Sequence, residues 1–405
     1  MRRLKAALLA VCIAMPVLAI ATQSTSSAPI RTQAELQRYL RVTPMQSSPL
    51  GLLPPTSRKR FLAKLAFHPH GIAINYGEPA AELTHPQIVQ LYALFGQPPP
   101  SDDMGLTPAQ QQRRKLERIE DARRRGCVPA ECPESEVEQR FDRLEAIAPH
   151  FSMPDAQRFA AEKHDYDHLF GDFFRDPGML RNLGDPDLRL LTRALQAPLY
   201  AVPDAEHVAQ LRQVLEEMQR RGVTDDTDFE DLYAAEIGTR QFAEAAILRK
   251  EHPGMRVAAL PTFIPEAMPA DGHPTALSMN PQSDTMRRQA FDLGAPLRIV
   301  IIAGCHFSQD AAQAIEGDAE LHPLFAQHSI WLAMPSEPIP DVLAWDRQFP
   351  DMPMHVAWSQ DEWSMLPSWA MPTYYVYRHG QLVKQFSGWF DTAKLKQSLR
   401  EAGAL

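Results

Sequence analysis

The run Cys305-His306-Phe307-Ser308 holds the residue types best suited to nucleophilic chemistry in this 405-residue chain. It follows an apolar, strand-like stretch at residues 297–303 and opens a helix-like one at 309–315. The thiolate is the nucleophilic form of cysteine, and the unpaired N–H groups and dipole of a helix N-terminus favour it. The same position also suits a small buried hydrophobe, because cysteine is among the residue types most often fully buried. His306 favours the thiolate if its cationic form sits close, or else it faces solvent. Ser308 either donates a hydrogen bond to the sulfur or caps the helix.

The chain has four cysteines, and the first residues decide how the others read. A basic Met1-Arg2-Arg3-Leu4-Lys5, an apolar stretch at 6–21 and polar Thr22-Gln23-Ser24-Thr25 form the pattern of a signal peptide at 1–21. Ala19-Ile20-Ala21 fits the small-x-small cleavage rule. The apolar stretch is shorter than the roughly 20 residues that span a bilayer, so cleavage and a periplasmic or otherwise exported location are expected. An uncleaved segment would instead anchor the chain in a membrane.

Cleavage removes Cys12 and leaves Cys127, Cys132 and Cys305. Disulfides persist outside the cytosol. The turn Cys127-Val128-Pro129-Ala130-Glu131-Cys132 can bring its two α-carbons within disulfide range, as a staple at the tip of a helical hairpin. A metal or redox pair would suit a spacing of two with a histidine nearby. With Cys127 and Cys132 paired, Cys305 is the odd thiol.

His164 and His168 are four apart, which places both imidazoles on one face of a helix, but the glutamate of a zincin motif is missing. No metal and no cofactor is expected. The formal charge of −9 and pI near 5.9 lack the basic stripe of a nucleic-acid binder, so no nucleic-acid partner is expected either.

The elements that must position Cys305 come from the periodicity. At 44% hydrophobic and 22% charged, the chain can bury the cores of two or three domains. Residues 22–33 are rich in Ser and Thr and read as a flexible leader. Residues 34–253 carry helical signals: Pro108 begins a charge-laced helix to 125, 134–147 supplies its partner across the cysteine turn, and 204–221 places Val208, Leu211, Val214, Leu215 and Met218 at helical spacing. The pattern Tyr233, Phe242, Ala246, Pro253 resembles a single tetratricopeptide-type hairpin; one unit makes no solenoid, and the expectation is an all-α domain of packed hairpins.

Residues 254–289, with Pro261, Pro265, Pro269, Pro274 and Pro281, read as a linker. From 290 to 405 the period changes. Strand-like runs at 297–303, 329–334 and 354–358, a helix at 340–349, a hairpin at 373–389 and a helix at 392–402 indicate an α/β sheet with helices on its faces.

Residues 290–405 resemble the thioredoxin fold. The likeness rests on the strand leading into Cys305-His306-Phe307-Ser308 and its helix, on Met371-Pro372-Thr373 opening a strand, on a Gly-containing hairpin and Gly388-Trp389, and on the closing helix. The fold class that follows is α plus α/β, an all-α helical-hairpin domain before a thioredoxin-like one. The resemblance implies a cis Pro372 facing the active cysteine, with the backbone of Met371 available to an extended substrate. The 67 positions between Cys305 and Pro372 leave room for an additional strand-helix unit, which is similar to the exported TlpA/ResA-like branch.

Two departures matter. Ser308 stands where the family's second cysteine does, and Gly304 where its tryptophan does. Disulfide exchange passes through a mixed disulfide that a neighbouring thiol normally resolves. With serine at 308, an external thiol or the substrate's own second cysteine must complete the cycle, as monothiol glutaredoxin-like and isomerase-like proteins imply. The expected function is monothiol exchange on protein or small-molecule thiols and disulfides, with Cys305 as nucleophile, His306 and Ser308 as tuners, and Met371 and Pro372 as substrate-positioning elements. The alternative is a non-catalytic interaction module that keeps the fold as a scaffold while its helical domain holds a protein partner.

Overall fold

The computed structural model describes residues 28–405, apart from 70, 99–100, 102–103, 149, 151, 201 and 267–271. The chain divides into two compact units between Gln111 and Gln112, inside the stretch read above as one helical domain.

Thr32 and Glu35 form a reciprocal capping box that starts α1 (Gln33–Val42). The first unit continues with α2 (Pro55–Ala63), a hairpin of β1 (Ala66–His68) and β2 (Gly71–Ala73), α3 (Gly77–Glu82), α4 (His85–Ala93) and the opening turn of α5 (Pro108–Arg125). Leu36, Leu50, Phe61, Leu91 and Phe95 form its core. Ile30 is buried with them, and its N–H donates to the Leu94 carbonyl at 2.9 Å. The end of the expected leader is therefore tied down, because an apolar side chain and a backbone donor both find partners. The expected signal segment 1–21 and residues 22–27 of the expected leader lie outside the described residues.

The second unit holds α6 (Glu136–Ala146), α7 (Asp155–Phe170), α8 (Pro177–Asn182), α9 (Asp185–Tyr200), α10 (Ala205–Arg220), α11 (Glu230–Gly238) and α12 (Phe242–Glu251). Leu188, Leu191 and Leu195 recur every three or four residues on α9 and are buried, as an amphipathic helix requires. Cys127 and Cys132 are joined by a disulfide with α-carbons 5.3 Å apart, closing the turn between α5 and α6. Among the described residues, no helix is long and apolar enough to cross a membrane.

The proline-rich stretch read as a linker carries three strands: β3 (Thr262–Ile264), β4 (Thr275–Asn280) and β5 (Thr285–Ala290). Its prolines punctuate strand ends instead of keeping the chain extended. Pro261 and Pro265 flank β3, while Pro274 and Pro281 flank β4, so none removes a ladder donor from inside a strand. Then follow β6 (Arg298–Ile302), α13 (His306–Glu316), α14 (Leu321–His328), β7 (Ser329–Ala333), α15 (Ile339–Gln348), β8 (Met354–Ala357), β9 (Thr373–Arg378), β10 (Gln381–Ser387) and α16 (Thr392–Glu401).

All eight strands from β3 to β10 form one mixed sheet, in the order β10-β9-β6-β7-β8-β4-β5-β3. β6, β7 and β8 run parallel, and β9 returns antiparallel beside β6 with Ile301 opposite Tyr374 and Ile302 opposite Thr373. Side chains alternate across the sheet as the pleat demands. Val300, Ile302, Tyr375 and Tyr377 pack on one face with Trp363 and Trp369, while Ile299, Ile301, Tyr374 and Val376 pack on the other with Ala312 and Ile315 of α13 and Leu395 and Leu399 of α16.

That second face shares its core with the helices before it, including Leu191 and Leu195 of α9. Arg240, in the turn between α11 and α12, ties the two parts together. Its guanidinium donates to the carbonyls of Trp358 (3.1 Å), Pro335 (3.3 Å) and Ala357, and it lies over the Trp358 ring.

Candidate functional site

Cys305 is the N-cap of α13, with an extended backbone (φ −107°, ψ 167°) that turns the chain from β6 into the helix. It is a free cysteine and half-buried. Its Sγ lies 3.4 Å from the Ser308 hydroxyl and 3.5 Å from the Met371 carbonyl oxygen, to which the thiol donates. The Met371-Pro372 peptide bond is cis, as the resemblance implied. Residues 66 positions apart in sequence thus face one another across the end of the sheet.

Ser308 is fully buried and does not act as the cap; its own N–H donates to the Cys305 carbonyl at 2.9 Å. Of the two readings of its side chain, the geometry is that of a hydroxyl hydrogen-bonded to the sulfur. His306 is exposed, and its ring packs on Phe307 with centroids 3.9 Å apart. Phe307 is itself about half exposed, so the helix presents an apolar edge beside the thiol.

Three residues that the sequence did not single out complete the surroundings. Gly304 has φ +147°, where side chains are rarely tolerated, and a Cβ there would stand 2.7 Å from the Glu337 carboxylate. Glu337, in the turn after β7, thus fills the space beside residue 304. Burial, helped by the charge of Asp341, pushes its carboxyl up to about 7.

Tyr374 lies two positions after Pro372 on β9, with its ring stacked on Phe386 at 4.8 Å. It is fully buried, and its hydroxyl has no hydrogen-bond partner among the described residues. Burial first, and then the nearby Cys305, push its phenol far above the usual range. Finally, Asp155 at the start of α7 accepts hydrogen bonds from the Trp369 N–H (2.5 Å) and the Ser368 hydroxyl (3.3 Å), in the loop that leads to Met371.

No composition or spacing signal marks these three. Glu337 reads as a turn charge between prolines, Tyr374 as one aromatic in a strand of them, and Asp155 as a helix-start acid.

A cavity of about 120 Å³ lies between the hairpin β9–β10 and α16, with Tyr374, Phe386, Trp389 and Phe390 among its walls. Trp363 and Trp369 are core residues, whereas Trp358 and Trp389 are partly buried. His164 and His168 stack 6.4 Å apart on α7. Among the described residues no group of three or more His, Cys, Asp or Glu side chains is arranged to hold a metal ion.

A strand, a cysteine at a helix N-terminus, a cis-proline loop opposite it, a hairpin and a closing helix therefore occur together in one mixed sheet. No family model and no curated protein matches the chain. Among solved structures, the solution structure of a candidate thioredoxin from Neisseria meningitidis is similar to it, with 17% identity over 33% of this chain and 89% of that one and a TM-score of 0.23.

Proposed function

We propose that the protein is an exported, thioredoxin-like protein that carries out monothiol thiol–disulfide exchange through Cys305. The observation that carries this reading is the placement of a free, half-buried thiol at the start of α13, directly across from the Met371 carbonyl of the cis-proline loop. In the forward step the Cys305 thiolate attacks one sulfur of a substrate disulfide. A Cys305–substrate disulfide forms, and the substrate's other sulfur leaves as a thiolate that takes up a proton. Ser308 has no thiol with which to resolve this species, so an external thiol or the released substrate cysteine must attack it. Met371 and Pro372 hold the substrate backbone, and His306 and Phe307 border the entry.

Membership of the TlpA/ResA-like branch is part of the proposal. It is supported by the interval between Cys305 and Pro372, where α13, α14 and β7 are followed by a further helix and strand, α15 and β8. Export, with the periplasm as the favoured compartment, is supported by the Cys127–Cys132 disulfide, since such bonds persist in oxidising surroundings.

The test is trapping. Expressed in a host with an exported compartment and quenched with acid, the wild-type chain is expected to accumulate mixed disulfides with other proteins or small thiols, and Cys305→Ser none. Equal adducts in both, or none in either, would leave the fold as a scaffold for a binding module.

A further inference from the structure

We propose that Tyr375 is a positioning residue for the exchange site: its hydroxyl grips the backbone of Ser368 and so fixes the loop that carries Met371 to the thiol. The inference rests on the exchange reading for its significance, but the grip itself is a set of hydrogen bonds within the fold.

The path of residues 368–371 brings the Met371 carbonyl to the sulfur, and these residues belong to no helix or strand. Backbone groups outside regular structure need partners from elsewhere. At Ser368 one side chain serves both groups. The Tyr375 hydroxyl accepts the Ser368 N–H at 2.9 Å and donates to the Ser368 carbonyl at 2.6 Å. The hydroxyl of Ser368 in turn accepts the Ala370 N–H at 3.2 Å and donates to Asp155 at 3.3 Å. With the Trp369 N–H on Asp155, the bonded stretch runs up to the residue before Met371.

Tyr375 gives this stretch a rigid footing. It lies on β9 between β6 and β10, with Val300 and Gln385 as its register partners. It is fully buried, and Trp363, Leu366 and Trp369 belong to the same apolar cluster. A site built on a paired strand is held more precisely than one on a loop. Burial pushes the phenol up to about 12, so the proton that bonds the Ser368 carbonyl stays in place at neutral pH. Without the hydroxyl, the loop would offer the Met371 backbone to a substrate in several positions, while Cys305 would keep its own place as the N-cap of α13.

The experiment compares the full wild-type chain with Tyr375→Phe, which keeps the ring and removes the hydroxyl. Turnover of a disulfide-bonded peptide is followed with excess mercaptoethanol: the peptide disulfide is reduced to two thiols as two mercaptoethanol thiols are oxidised to their disulfide. KM for the peptide is expected to rise about fivefold with kcat within about twofold, because the loop holds substrate backbone and the sulfur does not move. A variant that merely folded less well would lose kcat in proportion to the missing protein and keep its KM; that result, or unchanged constants, would overturn the proposal.

A second measurement needs no turnover. Hydrogen–deuterium exchange in the segment from Leu366 to Met371 is expected to be slow in the wild type and about tenfold faster in Tyr375→Phe, with β6 unaffected. Free-loop exchange rates in the wild type would refute the grip even if the variant failed to fold. Protection that the substitution releases, in a protein that turns over no disulfide, would remove the exchange reading alone. Normal turnover with the same protection in both proteins would remove the role of Tyr375 alone.

Discussion

The carboxylate of Asp155 accepts the backbone N–H of Trp369 at 2.5 Å, so a helix more than 200 residues upstream fixes the loop that carries Met371 to the thiol. Arg158 in turn holds Asp155 at 2.7 Å. The loop has little regular structure of its own, and this carboxylate fixes the backbone two residues before the cis-proline bond begins.

Asp155→Asn keeps the shape but replaces the paired charge with an amide. Exchange with a protein disulfide is expected to slow several-fold, chiefly through weaker substrate binding, because the Met371 backbone is held less firmly. Alkylation of Cys305 by a small reagent, which needs no loop, should change little. Stopped-flow rates against a disulfide peptide and against iodoacetamide separate the two.

Gly304→Ala places a methyl group where φ is +147° and the Glu337 carboxylate is already in contact. Backbone strain and the displaced carboxyl together should cost about 2 kcal/mol. Thermal unfolding of the variant is expected to begin several degrees lower, and an unchanged transition would show that the turn after β7 yields freely.

Glu337 supplies a pH test. Burial raises its carboxyl from 4.5 in the unfolded chain to about 7 in the fold. The folded protein therefore holds a proton that the unfolded one has lost, and stability favours low pH. The contribution is present below about pH 4.5 and disappears as pH rises through 7. Glu337→Gln cannot lose a proton, so the melting temperature of the variant should gain on that of the wild type across this window, by the equivalent of on the order of 2 kcal/mol. Parallel curves for the two proteins from pH 4 to 8 would contradict the assignment.

Much of the sheet around the thiol was legible because its residues obey short-range rules. The apolar run at 297–303 is a buried strand, Gly380 sits in the turn between β9 and β10, and Cys305 stands at the junction where strand becomes helix. The strands β3, β4 and β5 were not legible. Thr285-Met286-Arg287-Arg288-Gln289-Ala290 has too few apolar residues to show an alternating pattern, and its pairing with β4 depends on β8, far along the chain. Ile30 was missed in the same way: one apolar residue in a Ser/Thr-rich stretch carries no period, and only the Leu94 carbonyl shows that the chain is held there.

The site divides along the same line. Cys305, Ser308 and Pro372 belong to local patterns, whereas Glu337, Tyr374 and Asp155 matter because of what the fold sets beside them.

Arg240 has a consequence for how the molecule is cut. A chain beginning at residue 290, where the strand-helix periodicity starts, would lose β3, β4 and β5, leave β8 as a bare edge, and strip the Ala357 and Trp358 carbonyls of their guanidinium donor. The apolar cluster that runs from the helices before the sheet to Ile299 and Ile301 would be cut through. Cys305 thus sits in a compact unit that runs from residue 112 to 405, and the helices before the sheet share one core with it instead of being an attachment to it.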